Sequence, residues 1–189
     1  VTIGRMTLRG FQGSAGHKRQ QQAAIRGSAG IWRTGPGELA SDWLIEDVEA
    51  SGNYALGLLV GDRFTVRRST FADNGVAGIG GAATHGGLVQ GNVISGNGHL
   101  QLTGYEANGG GMKFTQAAGP GAPLVIDRNE VHHNAGSGIW CDIGCTGLEV
   151  TGNYVHDQDS HGVVVELSSN AVIRGNLIVN ANSWTDFSA

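Results

Sequence analysis

The sequence predicts an all-β chain: a right-handed, single-stranded parallel β-helix, a solenoid of roughly 21–24-residue coils. Near-identical nine-residue phrases recur every twenty-odd residues, and no window sustains apolar residues at helical spacing. Composition agrees, with 33 Gly against 3 Pro in 189 residues. That balance puts the turns on left-handed glycine and asparagine rather than on proline.

The phrases run Ile45 to Asn53, Val66 to Asn74, Val89 to Asn97, Ile126 to Asn134, Val150 to Gln158 and Ile173 to Ala181. Their fourth residues are Val48, Ser69, Asn92, Asn129, Asn153 and Asn176, giving steps of 21, 23, 37, 24 and 23 residues. Within a unit, Val150, Gly152 and Val155 read as a strand and a bend. Gly162 to Leu167 reads as a second strand, and Asn176-Leu-Ile-Val opens the third of the next coil. Three short strands and their turns fill about 22–24 residues at ~3.3 Å per residue. One such unit cannot bury its apolar face alone, but a stack of them buries a continuous core. Right-handedness follows from the near-universal hand of strand–crossover–strand connections. At the anchor, Asn tolerates the left-handed bend between strands. Asn92, Asn129, Asn153 and Asn176 should then stack along the axis, with their amides bonded from rung to rung in a structural role.

The length suits one domain spanning residues 1–189, with about seven to eight coils. The chain starts and stops in what read as rungs without polar caps. The expectation is a segment of a longer protein, or a mature form, whose partners include further coils or domains of the same protein. Net charge is −4, with no basic stripe. That predicts no nucleic-acid partner, and the lack of a long apolar run predicts no membrane insertion.

The 37-residue step carries an excess of 14 residues over a 23-residue coil. Loops are expected at about 99–110 and 116–123, and a third insertion at about 12–40, each a wall of a groove or variable loop. The two cysteines, Cys141 and Cys145, lie four residues apart. On an extended run that is roughly 13 Å, too far for a disulfide unless the chain turns between them. The leading expectation is an unlinked pair, with Cys141 in the core and Cys145 in a turn; a turn-spanning disulfide and a two-cysteine metal site are the alternatives.

Strand alternation sorts the side chains. Aligned on Gly111, Gly138 and Gly162, the second strands point Met112, Phe114, Ile139, Cys141, Val163 and Val165 inward. Lys113, Trp140 and Val164 form one outward row, and Thr115, Asp142 and Glu166 the next. Asp142 and Glu166 are one 24-residue coil apart, which puts their backbones about 4.8 Å apart. Two such carboxylates raise each other's proton affinity and make an acid/base pair. The same pair fits Ca²⁺ as a cofactor. Lys113 offers a cation for a substrate carboxylate or a base, and Trp140 a platform for a sugar ring. A solvated sheet face bearing a stacked acidic pair is the plainer alternative. His132 and His156 occupy one position in consecutive units, with His133 and Asp157 beside them, and His161 precedes the second strand. These histidines fit a surface ladder, substrate binding, proton transfer or a transition-metal site.

At these residues the chain resembles secreted bacterial right-handed parallel β-helix proteins of the pectate-lyase-like superfamily. The resemblance rests on Gly110-Gly-Met-Lys-Phe114, Gly138-Ile-Trp-Cys-Asp-Ile143 and Val165-Glu-Leu-Ser-Ser-Asn-Ala-Val-Ile-Arg-Gly-Asn176. Lys113, Trp140, Asp142 and Glu166 match its recurring pattern, while Val165 stands where that pattern usually has His. The resemblance implies a secreted or cell-surface protein with a polysaccharide partner. It does not choose among lyase, epimerase and hydrolase, or a non-catalytic binding, adhesive or tail-fibre segment.

Overall fold

The computed structural model describes residues 1–10, 23–26, 41–100, 109–119 and 121–183, none of them helical. The chain opens with β1 (Thr2–Arg9) and β2 (Ala23–Arg26), followed by β3 (Leu44–Ser51) and β4 (Leu56–Val60). Three coils then repeat a three-strand plan. They are β5 (Phe64–Arg67), β6 (Thr70–Ala72) and β7 (Ala77–Ala82); β8 (Gly87–Gln90), β9 (Val93–Ser95) and β10 (Gly110–Thr115); and β11 (Leu124–Asp127), β12 (Glu130–His132) and β13 (Ser137–Asp142). The last described strands are β14 (Leu148–Thr151), β15 (Tyr154–His161), β16 (Val163–Glu166), β17 (Val172–Arg174) and β18 (Leu177–Ser183).

All named strands pair in parallel, and each pairs with its counterpart one coil away. Three faces result. The first stacks β3, β5, β8, β11, β14 and β17; the second continues from β3 through β6, β9, β12, β15 and β18; the third stacks β2, β4, β7, β10, β13 and β16. The first two faces join because β3 bends through both without a break. This is the parallel β-helix that the repeat predicts.

Each face sends one column of side chains inward. On the first face the column is Ile45, Val66, Val89, Ile126 and Val150. The second contributes Ala50, Phe71, Ile94, Val131 and Val155. The third contributes Leu58, Ile79, Met112, Ile139 and Val163. All fifteen are at most 2% exposed. Phe64 and Phe114 stack across the interior with centroids 6.4 Å apart. Such a core depends on register, because a one-residue slip would turn every column outward.

The anchor asparagines enforce that register. Asn92, Asn129 and Asn153 are buried. The Asn92 backbone N–H and side-chain Nδ2 both donate to Asn129 Oδ1 at 3.0 Å. Asn129 repeats this on Asn153 Oδ1 at 2.9 Å, and Asn153 on Asn176 Oδ1 at 2.9 Å. The second Nδ2 proton goes back to a strand carbonyl, as from Asn129 to Val89 O at 2.9 Å. Thus each amide satisfies the backbone groups that the bend removes from the strand ladder. A second ladder, unforeseen in the sequence, runs through Asn53, Asn74, Asn97, Asn134 and Gln158 at the next corner.

The left-handed bend falls one residue before the anchor rather than on it. Asp47, Arg68, Gly91, Arg128, Gly152 and Gly175 have φ between 49° and 64°. The reason is geometric: an inward amide must lie over the core, so the sharp bend passes to its outward neighbour. Glycine takes that bend freely, whereas a Cβ there costs about 1 kcal/mol.

The insertions differ in part from expectation. Residues 23–26, within the expected 12–40 loop, form β2 and pair with β4; the rest of that loop up to residue 40 lies outside the described residues. Residues 101–108 also lie outside them, and Gly110 already belongs to β10. In the 116–123 segment, Ala117 and Ala118 pack into the core instead of leaving it.

Asn129→Ala leaves the Asn92 N–H, one Asn92 Nδ2 proton and the Val89 carbonyl without partners in a buried corner. The substitution is expected to cost about 3 kcal/mol or more, read as the loss of unfolding free energy in urea followed by far-UV circular dichroism.

Candidate functional site

The third face places the predicted residues in two rows. Leu59, Gly80, Lys113, Trp140 and Val164 are in register along one outward row. Ala82, Thr115, Asp142 and Glu166 share the other. Close-packed glycines at the strand starts let the coils stack this tightly. A Cβ on Gly111 would meet the Gly138 carbonyl at 2.4 Å, and one on Gly138 would meet the Gly162 carbonyl at 2.8 Å.

This outer side is not a solvated sheet surface. Leu59 is 0% exposed, Val164 5% and Asp142 9%, although all three point away from the coil axis. Lys113 reaches diagonally to the next rung, with its Nζ 2.8 Å from Asp142 Oδ2. The same ammonium lies 2.8 Å above the Trp140 ring centroid, where the ring's quadrupole attracts a cation. Asp142 therefore answers Lys113 and is not half of a bare acidic pair with Glu166. The ring face over which Lys113 lies is also closed to a sugar. Trp140 Nε1 is buried and has no hydrogen-bond partner among the described residues.

Burial pushes the Lys113 amine below its ordinary proton affinity, while the Asp142 hydrogen bond and charge and the Glu166 charge pull it back up. Burial wins, because desolvation penalises the charged form most. As for Ca²⁺, it takes six to eight oxygens. Two carboxylates, one already neutralised by an ammonium, do not supply that set.

The two cysteines are joined, contrary to the leading expectation. Cys141 and Cys145 form a disulfide with Cα atoms 6.1 Å apart. The chain turns back at once after β13, through Asp142, Ile143 and Gly144 with φ of 59°, 54° and 82°. Three successive left-handed residues collapse the separation that an extended run would give. The bridge clamps the turn that carries Asp142, and both cysteines are 0% exposed.

The histidines lie on a different face. His132 and His156 are in register on the second face, with rings stacked at 4.9 Å. His133 meets His132 edge-on at 5.1 Å. Burial and the neighbouring His156 lower the proton affinity of His132. His161, at the end of β15, bonds Ser160 Oγ through Nδ1 at 2.9 Å and joins neither group. The structure thus gathers Lys113, Trp140, Asp142 and Glu166, and separately His132 with His156. A shallow groove of about 350 Å³ lies elsewhere, between Arg5, Asp47, Glu49 and Arg68, and its acids and Arg68 are already engaged in ion pairs.

The balance at Lys113 is testable by titrating its side-chain resonances. Its midpoint should fall below the ordinary lysine value of 10.5. Asp142→Asn removes a group that favours the charged form, so the midpoint should move further down. A wild-type midpoint above 10.5 would mean that burial is not the dominant influence, and a midpoint that rises in Asp142→Asn would mean that Asp142 does not favour the charged form.

The sequence profile of the family described as "Right handed beta helix region" matches residues 29–184. A search of curated proteins finds no match. Among solved structures, a double mutant of the periplasmic alginate epimerase AlgG is similar, with a TM-score of 0.58 and 22% identity. The alignment covers 76% of this chain and 35% of that one. The likeness at this identity is one of fold, and the chain spans about a third of the length of that protein.

Proposed function

The chain belongs to the right handed beta helix region family, and on that scaffold we propose an extracytoplasmic protein that acts on an acidic polysaccharide through Lys113, Asp142 and Glu166. The observation that carries the proposal is the shielded Lys113–Asp142 pair beside Trp140, with Glu166 in register one coil on. The similar periplasmic alginate epimerase supports a polysaccharide and a location outside the cytoplasm. The Cys141–Cys145 disulfide supports the location independently, since such bonds persist in oxidising compartments.

Lyases and epimerases both begin by removing the proton alpha to a uronate carboxylate, which takes a base and a positive charge nearby. Lys113, whose lowered proton affinity favours the neutral amine, fits the base, and the ammonium formed as it takes the proton is the positive charge beside the developing carbanion. The C–H bond breaks, the proton passes to Lys113 Nζ, and its electron pair stays on the carbon. That pair either expels the glycosidic oxygen of the next sugar or accepts a proton on the other side of the ring. Asp142 holds Nζ in place, and Glu166 is the second proton-transfer group. Hydrolysis with retention fits less well, because it uses two carboxyl groups with one free to attack carbon, and Asp142 is tied to an ammonium.

A second reading is a non-catalytic polysaccharide-binding β-helix, favoured by Lys113 lying across the Trp140 ring. A panel of uronate and neutral polysaccharides separates the two. Unsaturated ends or inverted uronates are expected, and Lys113→Met should cut turnover by about 100-fold or more with unchanged circular dichroism. Asp142→Asn and Glu166→Gln should also lose turnover. Binding without product on every member of the panel would establish the non-catalytic reading. Turnover that survives all three substitutions would place the site elsewhere.

A further inference from the structure

On the second face, away from Lys113 and Asp142, the left-handed corner does something that simple alternation does not. His133 and Asp157 are the bend residues of consecutive coils, with φ of 53° and 52°. A bend there breaks the in–out alternation, so His133 shares the outside with His132, and Asp157 with His156. Stacking at the 24-residue step then brings donors from both coils together.

Donor atoms of His133, His156 and Asp157 all lie within 4.8 Å of one another. His156 Nδ1 is 2.7 Å from Asp157 Oδ2, and His133 Nε2 is 4.0 Å from the same oxygen. Two ligands of a tetrahedral Zn²⁺ at ~2.0–2.1 Å are separated by about 3.4 Å. The two observed distances bracket that value, so small side-chain rotations close the site without moving the backbone. We propose that His133 Nε2, His156 Nδ1 and Asp157 Oδ2 form a binding site for a first-row divalent metal such as Zn²⁺, with a fourth position open to solvent.

The surrounding groups fit this assignment atom by atom. With Nδ1 on the metal, His156 keeps its proton on Nε2, which faces Glu130 Oε1 at 3.5 Å. With Nε2 on the metal, His133 keeps its proton on Nδ1, which lies 2.8 Å from His132 Nδ1 as acceptor. Asp157 turns its other oxygen, Oδ1, to Asn180 Nδ2 at 3.0 Å. Tyr154 stacks on the His156 ring with centroids 4.1 Å apart. Each candidate ligand therefore already has the outer partner that fixes tautomer and orientation in established metal sites. Three protein ligands and an open fourth position is the pattern of zinc sites that also bind water or a substrate. Imidazole with carboxylate suits Zn²⁺ and Cu²⁺ over Ca²⁺ or Mg²⁺. Metal binding at this corner is independent of any action of the third face on a polysaccharide.

The test uses the full chain, stripped with a chelator and titrated with Zn²⁺ alone by calorimetry. One equivalent should bind. His133→Ala, His156→Ala and Asp157→Asn should each weaken binding by more than the roughly 10–100-fold that loss of an outer partner costs, and Glu130→Gln by that smaller amount. His85→Ala, which removes an exposed histidine paired with Asp62, should change nothing. Co²⁺ in place of Zn²⁺ should give the visible absorption of a tetrahedral site, and circular dichroism checks that each variant is folded. A folded wild type that binds no stoichiometric Zn²⁺, or folded ligand variants that bind it as the wild type does, would overturn the proposal.

Discussion

The asparagine amide laid across two rungs is the interaction on which the other features depend. It completes hydrogen bonds at the one point per corner where the strand ladder cannot, and it does so only when both coils are in the same register. The inward columns, the glycine approaches on the third face and the outward rows all inherit that alignment. Because the amide is shared, each coil's bend is tied to the next, and the ladder runs through the insertion between Asn92 and Asn129. The 37-residue step from Asn92 to Asn129 carries the same two bonds as the 24-residue step from Asn129 to Asn153. Extra chain can therefore leave the coil without disturbing the rungs on either side.

The corners serve a second purpose. A left-handed residue reverses the alternation of a strand, so two neighbours in sequence both face outward. At the His132–His133 and His156–Asp157 corners this crowds five polar side chains, counting Glu130, onto one small surface. At the end of β13, three left-handed residues in a row fold Cys145 back onto Cys141 and hold Asp142 at the rim of the third face. Polar chemistry on this solenoid gathers where regular strand geometry stops, since only there can neighbouring residues converge.

On the third face, shielding decides the character of the site. Lys113, Asp142 and Trp140 form one unit because they are largely shielded from water, which strengthens both the ion pair and the cation–ring contact. The same shielding lowers the proton affinity of Lys113. A solvated row of the same residues would leave that lysine an ordinary cation and the acids a loosely coupled pair.

The spacing of Asn92, Asn129, Asn153 and Asn176 determined the solenoid, its coil length, the inward columns and the pairing of Lys113 with Trp140 and of Asp142 with Glu166. These are matters of period and alternation, which a linear sequence carries in full. The tertiary structure decided the rest. It moved the bend from the asparagine to the residue before it, joined Cys141 to Cys145, turned Asp142 toward Lys113 and set His133 Nε2 and His156 Nδ1 around one oxygen of Asp157. Those outcomes depend on backbone sign at single residues and on side chains reaching diagonally between coils. Neither is periodic, so the repeat that located the rungs had no bearing on them.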